Sequence, residues 1–279
     1  GDETTLQVLR EAGKSATSKS YMWLYRTSGC AEHSIVLYEY QEDRKAKHAE
    51  EFLDGFSGWL HADGYQGYHK LPERIRVVGC AAHARRKFDE ALTALPKEQQ
   101  QTSKAAEALC YFAKLFQLEQ SFAELKPEER YTKRLEQAKP VLDALLAWAN
   151  DLIPRTAPKS ALGKALHYLK EQWPYLVRYL EDGRLELSNN RAERSIKPFV
   201  MGRKGWLFSN TPASAVIYSL IETAKENVLD PYRYLLWVLE SAPAMALEGD
   251  AWAGMLTPAN APETCKIPKE TQPNETNEY

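Results

Sequence analysis

No stretch of this chain approaches the roughly 18 consecutive apolar residues that a membrane-crossing helix needs, so no segment is expected to span a bilayer. Cysteine is scarce. Cys30, Cys80, Cys110 and Cys265 are scattered, and no two form a Cys-x-x-Cys pair. That pattern speaks against a disulfide framework or a four-cysteine zinc site and suits a reducing cytosol. Net charge is nearly absent too, with 36 Lys and Arg against 38 Asp and Glu. Taken alone, a total of −2 argues against a nucleic-acid partner. Neither an internal repeat nor a signal peptide is visible. The chain starts with Gly1 rather than Met, and the strand expected to carry Asp2 has no upstream half, so it reads as a fragment or a processed form.

Material for a core is plentiful. Of 279 residues, 44% are hydrophobic and 27% charged, the proportions of an ordinary globular protein of one large or two small domains. The charge is also unevenly spread. Residues 184–206 hold six bases, Arg184, Arg191, Arg194, Lys197, Arg203 and Lys204, against Glu186 and Glu193. Residues 240–279 hold seven acids against Lys266 and Lys269. An acidic tail thus offsets a basic centre, and the clustering says more than the total.

Along the chain, residues 4–9, 20–27 and 34–40 are rich in β-branched and aromatic side chains and are separated by turn residues. They read as three sequential antiparallel strands. Residues 44–56 carry Ala46, Ala49, Phe52, Leu53 and Phe56 at helical spacing. A short strand from Trp59 to Asp63 and a fifth strand from Arg74 to Cys80 follow, then a helix with Phe88, Ala91, Leu92 and Leu95 on its inner face. Residues 96–182 read as helical throughout, with Pro140 and Pro174 breaking or kinking two of the helices. A basic helical stretch over 188–204 and two closing helices over 212–226 and 231–240 complete the pattern. Residues 257–279, rich in Pro, Thr, Asn and Glu, are expected to be disordered.

The order β-β-β-α-β-α fits an α/β protein with a ribonuclease-H-like mixed five-stranded sheet, flanking helices and an all-helical insertion. The expected division is 1–95 for the first part of the core, 96–182 for the insertion, 183–240 for the basic and closing helices of the core, and 241–279 for a C-terminal extension.

Three acids fit this frame: Asp2 opening the first strand, Asp63 ending the fourth, and Glu193 on the basic helical stretch. Carboxylates delivered from distant points of a chain are what a two-metal phosphodiester-processing site requires. Mg²⁺ prefers oxygen ligands and keeps part of its water shell. Two such ions about 4 Å apart can activate an attacking oxygen and stabilise a leaving one. Each acid has a plain alternative. Asp2 could be a surface group, Asp63 before Gly64 a turn residue, and Glu193 the third residue of a capping box opened by Asn190.

At these residues the sequence resembles the insertion sequence 66 family of transposases, bacterial DDE-type enzymes. The stretches that carry the resemblance are DETTLQVL at the start, Phe56-Ser57-Gly58 through DGYQGY, GCAAHARRKF at 79–88, GRLELSNNRAERSIKPF continuing into MGRKGWLF, and YSLIETAKENVLDPYRYL. The resemblance implies a ribonuclease-H-like core, a divalent metal, and cleavage and strand transfer at the DNA ends of a mobile element. By motif it makes Asp2, Asp63 and Glu193 the catalytic and metal-binding triad. It implies two Mg²⁺ ions, with Mn²⁺ able to substitute. The expected partners are transposon ends, target DNA and further copies of the chain, in the bacterial cytoplasm at the nucleoid. Family members carry DNA-binding segments upstream of the first Asp. Where the family often has Asp, this chain has Ser188.

Other motifs allow more than one role. Cys80-x-x-His83 has half the spacing of a zinc site. The favoured reading makes Cys80 a buried strand-end residue and His83 a helix-start residue near the site, with Asn190 as a nearby N-cap. Arg85, Arg86, Arg191, Arg194, Lys197, Arg203 and Lys204 are candidates for the DNA backbone. Arg85 and Arg86 could equally belong to a solvated helix face. Trp206 is expected in the core rather than stacked on a base. Two other functions remain open: a related nuclease or resolvase that hydrolyses DNA without strand transfer, and an inactive DNA-binding remnant of a transposase.

Overall fold

The computed structural model describes residues 1–11, 13–15, 17–207, 209, 213–247 and 252–268. The chain divides into two compact units, one made of Gly1 and Lys45–Arg191, the other of Asp2–Arg44 and Ala192–Tyr279.

In the first unit, helix α1 (Ala46–Phe52) leads to strand β4 (Gly58–His61), which pairs in parallel with β5 (Ile75–Val78). Strands this short suit a pair buried on both faces. Leu60, Val77 and Val78 are all buried, and the connection between them is a short 3-10 turn rather than a helix. Gly1 also belongs here, its amine donating to His61 O at 2.6 Å.

Helices α2 (Ala81–Thr93), α3 (Lys97–Gln100), α4 (Lys104–Ser121), α5 (Pro127–Lys133), α6 (Lys139–Leu152) and α7 (Ala161–Leu176) follow. One core runs through them. Val78, Phe88, Phe112, Leu115, Leu145, Leu166 and Leu169 belong to it, each at most 1% exposed. The helical stretch over 96–182 shares this core with β5 and α2. Between α5 and α6 the chain makes a π-helical turn, Arg134–Ala138, and Pro140 sits in the first turn of α6. A widened turn accommodates a residue with no N–H, so Pro140 does not break the run. Pro174 lies inside α7 near its end, and a 3-10 segment, Val177–Glu181, follows.

In the second unit, β1 (Asp2–Gln7), β2 (Lys19–Arg26) and β3 (Val36–Gln41) form an antiparallel sheet in the order β1-β2-β3, with Asp2 opposite Leu24. The sheet puts Leu6, Met22, Leu24, Val36 and Tyr38 into a core with Ala192, Ile196 and Phe199 of α8 (Asn190–Trp206) and Ala215 of α9 (Ser214–Glu226). α10 (Pro231–Met245) and the short α11 (Trp252–Met255) complete the unit. The chain passes from the first unit to the second within the first turn of α8.

Two expectations need correction. Five strands form where the sequence places them, but among the described residues they pair as a three-stranded and a two-stranded sheet, not as one of five. Hydrophobic alternation identifies a strand and says nothing of which strand lies beside it. Residues 257–268, expected to be disordered, form two 3-10 turns. Cys265 is 2% exposed, its carbonyl accepts from Asp230 N, and Ile267 N donates to Val228 O, so packing and main-chain bonds hold a polar segment in place. The rest of that expectation, residues 269–279, lies outside the described residues.

Candidate active site

Asp63 follows β4 at the carboxyl end of the parallel pair, the end at which open α/β sheets commonly place their ligands. Its Oδ1 accepts from Tyr65 N at 2.9 Å, an Asx turn that fixes the carboxylate by local backbone geometry. Tyr168 of α7 packs closely over Gly64. A Cβ there would lie 2.6 Å from the Tyr168 hydroxyl. Burial pushes the Tyr168 phenol up, and the charge of Asp63 adds to the effect.

His69 stacks on Tyr175, with ring centroids 3.9 Å apart and planes at 8°. Burial lowers its pKa against the pull of Asp63, with Arg178 acting in the same direction as burial. Sequence reasoning missed both Tyr168 and His69. Tyr168 lies in a stretch that reads only as helical, and His69 lies in a turn without periodicity.

The segment before α8 is held in the first unit. Ala81 N donates to Leu187 O, Glu186 N donates to His61 Nε2 at 3.2 Å, and Asn189 N donates to Cys80 Sγ at 3.4 Å. Burial pushes the His61 pKa down to about 4, against the pull of Glu186, so the ring is neutral and can accept. Cys80 is 3% exposed and sits at the N-cap of α2, with His83 half-buried in the first turn. α8 begins at Asn190 itself, which places Asn189 at the capping position. The Asn189 side chain is buried, and among the described residues neither its Oδ1 nor its Nδ2 has a hydrogen-bond partner, so it does not cap the helix.

In the second unit, Asp2 and Glu3 point to opposite faces of β1. Glu3 is taken up by Arg44, while Oδ1 of Asp2 accepts from Glu3 N at 2.8 Å. Glu193 lies in the first turn of α8, half-buried. Two residues on, Ser195 is clamped to the sheet. Arg26 Nη1 donates to its Oγ at 2.5 Å and Tyr38 donates to its carbonyl, while Arg26 also holds Glu226 through two bonds of 3.0 and 2.8 Å. These bonds fix the rotation of α8, and with it the direction of Glu193.

The basic candidates separate into two groups. Arg191 pairs with Glu186 at 2.8 Å, and Arg203 donates to Thr4 Oγ1, Thr5 Oγ1 and Thr5 O, tying α8 to β1. Arg85 and Arg86 are exposed on α2. Arg194, Lys197 and Lys204 are exposed along one side of α8 and make no ion pair among the described residues. Trp206 is half-buried against Phe199, edge to face at 5.4 Å, as expected of a core residue.

The carboxylates Asp2, Asp63 and Glu193 have the donor chemistry that suits a hard divalent cation. Among the described residues, however, no three His, Cys, Asp or Glu side chains are grouped to hold a metal ion. Two of the carboxylates belong to the second unit and Asp63 to the first.

Residues 1–217 match the model of the IS66 transposase family, and residues 219–250 match the IS66 C-terminal element. The chain belongs to the IS66 transposase family. Among curated proteins it is similar to three from Sinorhizobium fredii. The "uncharacterized protein y4hP" is 29% identical over 261 residues, covering 86% of this chain and 47% of the relative. Protein y4jD is 33% identical over 258 residues, covering 86% and 49%, and protein y4qI is 30% identical over 252 residues, covering 84% and 46%. The IS66 chain described here thus spans about half the length of the curated relatives it matches. No solved structure matches it. No helix among the described residues is long and apolar enough to cross a membrane.

Proposed function

We propose that this chain is the catalytic part of an IS66 transposase that cleaves DNA strands at the ends of an insertion sequence and joins them to target DNA. Family membership supplies the reaction class. The observation that carries the reading is α8, where Glu193 in the first turn is followed by the exposed Arg194, Lys197 and Lys204, which make no ion pair among the described residues. A carboxylate at the head of a cationic helix face suits a phosphodiester, because phosphate contacts position DNA and supply most of its non-specific affinity.

In this reading Asp2, Asp63 and Glu193 hold two Mg²⁺ ions, with Mn²⁺ able to substitute. The ions would supply an activated water for nicking, an activated 3′-hydroxyl for joining, and charge stabilisation at the leaving oxygen. The reading requires the three carboxylates to share one pair of ions. The Asx turn holds Asp63 in place. The Ser195 clamp does the same for Glu193. Arg194, Lys197 and Lys204 hold the DNA backbone, with Arg85 and Arg86 as a second basic group. The protein would work as a homo-oligomer on DNA, in the bacterial cytoplasm at the nucleoid.

The test is an assay of the full-length protein with pre-cut transposon ends, a target plasmid and Mg²⁺. Joined products support the transposase reading. Hydrolysis without joining would make it a nuclease or resolvase. Absence of both, with DNA binding retained, would make it an inactive remnant.

A further inference from the structure

Helix α10 has two unlike faces. Tyr234 is fully buried, and Leu235, Trp237 and Val238 are partly buried with Leu229 and Cys265. The opposite face is apolar and open. Tyr232 is 75% exposed, Leu236 42% and Leu239 71%, and Pro243 is exposed as well. At about 100° per residue these four positions fall within an arc of about 60°. A continuous apolar stripe on a surface marks an interaction site more often than scattered apolar residues do. Arg233 and Glu240, both exposed, lie along one edge of the stripe, two helical turns apart and opposite in sign.

That charge pattern is complementary to itself. We propose that α10 is a self-association surface, which pairs antiparallel with α10 of a second copy of the chain across a two-fold axis. An axis passing between positions 236 and 237 sets Arg233 beside Glu240 of the second copy, and Glu240 beside that copy's Arg233. The same axis interleaves Tyr232, Leu236, Leu239 and Pro243 with their counterparts, so that neither stripe meets itself residue on residue. A parallel two-fold pairing would put the two charged edges on opposite sides, where they form no pairs. Two-fold symmetry is the commonest form of self-association, and it brings the same patch from both copies together. The proposal rests on α10 alone and does not depend on the DNA chemistry above.

The test is sedimentation of the 279-residue chain over a concentration series, compared with three variants. The expected mass is twice the 31.8 kDa of one chain. Leu236→Glu with Leu239→Glu should give the monomer without changing circular dichroism or the thermal midpoint, since both side chains face solvent. Arg233→Glu alone should raise the dissociation constant by about tenfold, by turning two attractive pairs into two repulsive ones. Adding Glu240→Arg to it should restore pairing. Three results would overturn the proposal: a monomer at all concentrations, a dimer that survives the double Glu variant, or a charge reversal that does not restore pairing. All are read from mass, so a failed strand-transfer assay leaves the result standing.

Discussion

Arg134 and Glu119 form a bidentate ion pair inside the first unit, with Nε at 2.9 Å and Nη2 at 2.6 Å from the two carboxylate oxygens. The arginine side chain is 1% exposed. Its remaining donors reach Tyr179 O and Asp182 O at 3.1 Å and Leu185 O at 2.8 Å, so all five N–H groups are used. One side chain from a π-helical turn therefore anchors the segment that leads into α8.

Arg134→Met should cost about 3–5 kcal/mol, the loss typical of breaking a buried pair and leaving its partner uncompensated. Adding Glu119→Leu should recover only part of this, because the bonds that Arg134 donates to the carbonyls of Tyr179, Asp182 and Leu185 stay lost. Urea unfolding of the single and double variants measures both. Full recovery in the double variant would show that the carbonyl bonds contribute little.

A second stability test concerns α9. Thr223 Oγ1 accepts from Val36 N at 3.0 Å and donates to Val36 O at 2.9 Å, and Ser219 Oγ accepts from Tyr38 N at 2.8 Å. The two hydroxyls, one helical turn apart, pair with the outer edge of β3. Thr223→Val keeps the volume and removes both bonds, leaving main-chain groups buried and unpaired. The expected loss is about 1–3 kcal/mol by urea denaturation. A change below about 0.5 kcal/mol would mean that water replaces the hydroxyl.

How much of this was legible from the sequence depends on the kind of signal. The run of aromatic and apolar residues over 20–27 marked β2, and the helical stretch over 231–240 marked α10, because these are local signals. Arg134 reads as one more surface base beside Arg130 and Lys133. Its burial depends on acceptors from residues 119, 179, 182 and 185, which no local pattern reveals. Ser219 and Thr223 look like ordinary helix positions for the same reason. At the site, the contexts of Asp2, Asp63 and Glu193 were readable as motifs. Tyr168 and His69 were not, since only the fold brings them near Asp63.

Asp63→Asn tests the proposed chemistry. The amide fills the same volume but lacks the charge a cation needs. Nicking and joining by the full-length protein should fall by more than about 100-fold, beyond the 10- to 100-fold cost of losing an outer-shell partner. Folding and DNA affinity should stay nearly unchanged. Substantial Mg²⁺-dependent activity in the variant would remove Asp63 from the set of ligands.

Arg194→Ala tests the exposed face of α8. Binding to unrelated duplexes should weaken uniformly, and the slope of log affinity against log salt should drop by about one unit. Arg203→Ala should instead destabilise the fold, since its guanidinium is committed to Thr4 and Thr5. A loss confined to one DNA sequence would show that Arg194 reads bases.

The boundary between the two family segments falls inside α9, after residue 217 and before Ser219. Ser219 and Thr223 therefore belong to the C-terminal element, although the strand edge they pair with belongs to the larger segment. The C-terminal element is thus no detachable appendix. A truncation at that boundary would leave β3 with open donors and acceptors, a template on which other chains can add strands and aggregate. An expression boundary or tag placed beyond Pro268 keeps both the covered sheet edge and the segment whose Cys265 packs against Leu229 and Tyr234.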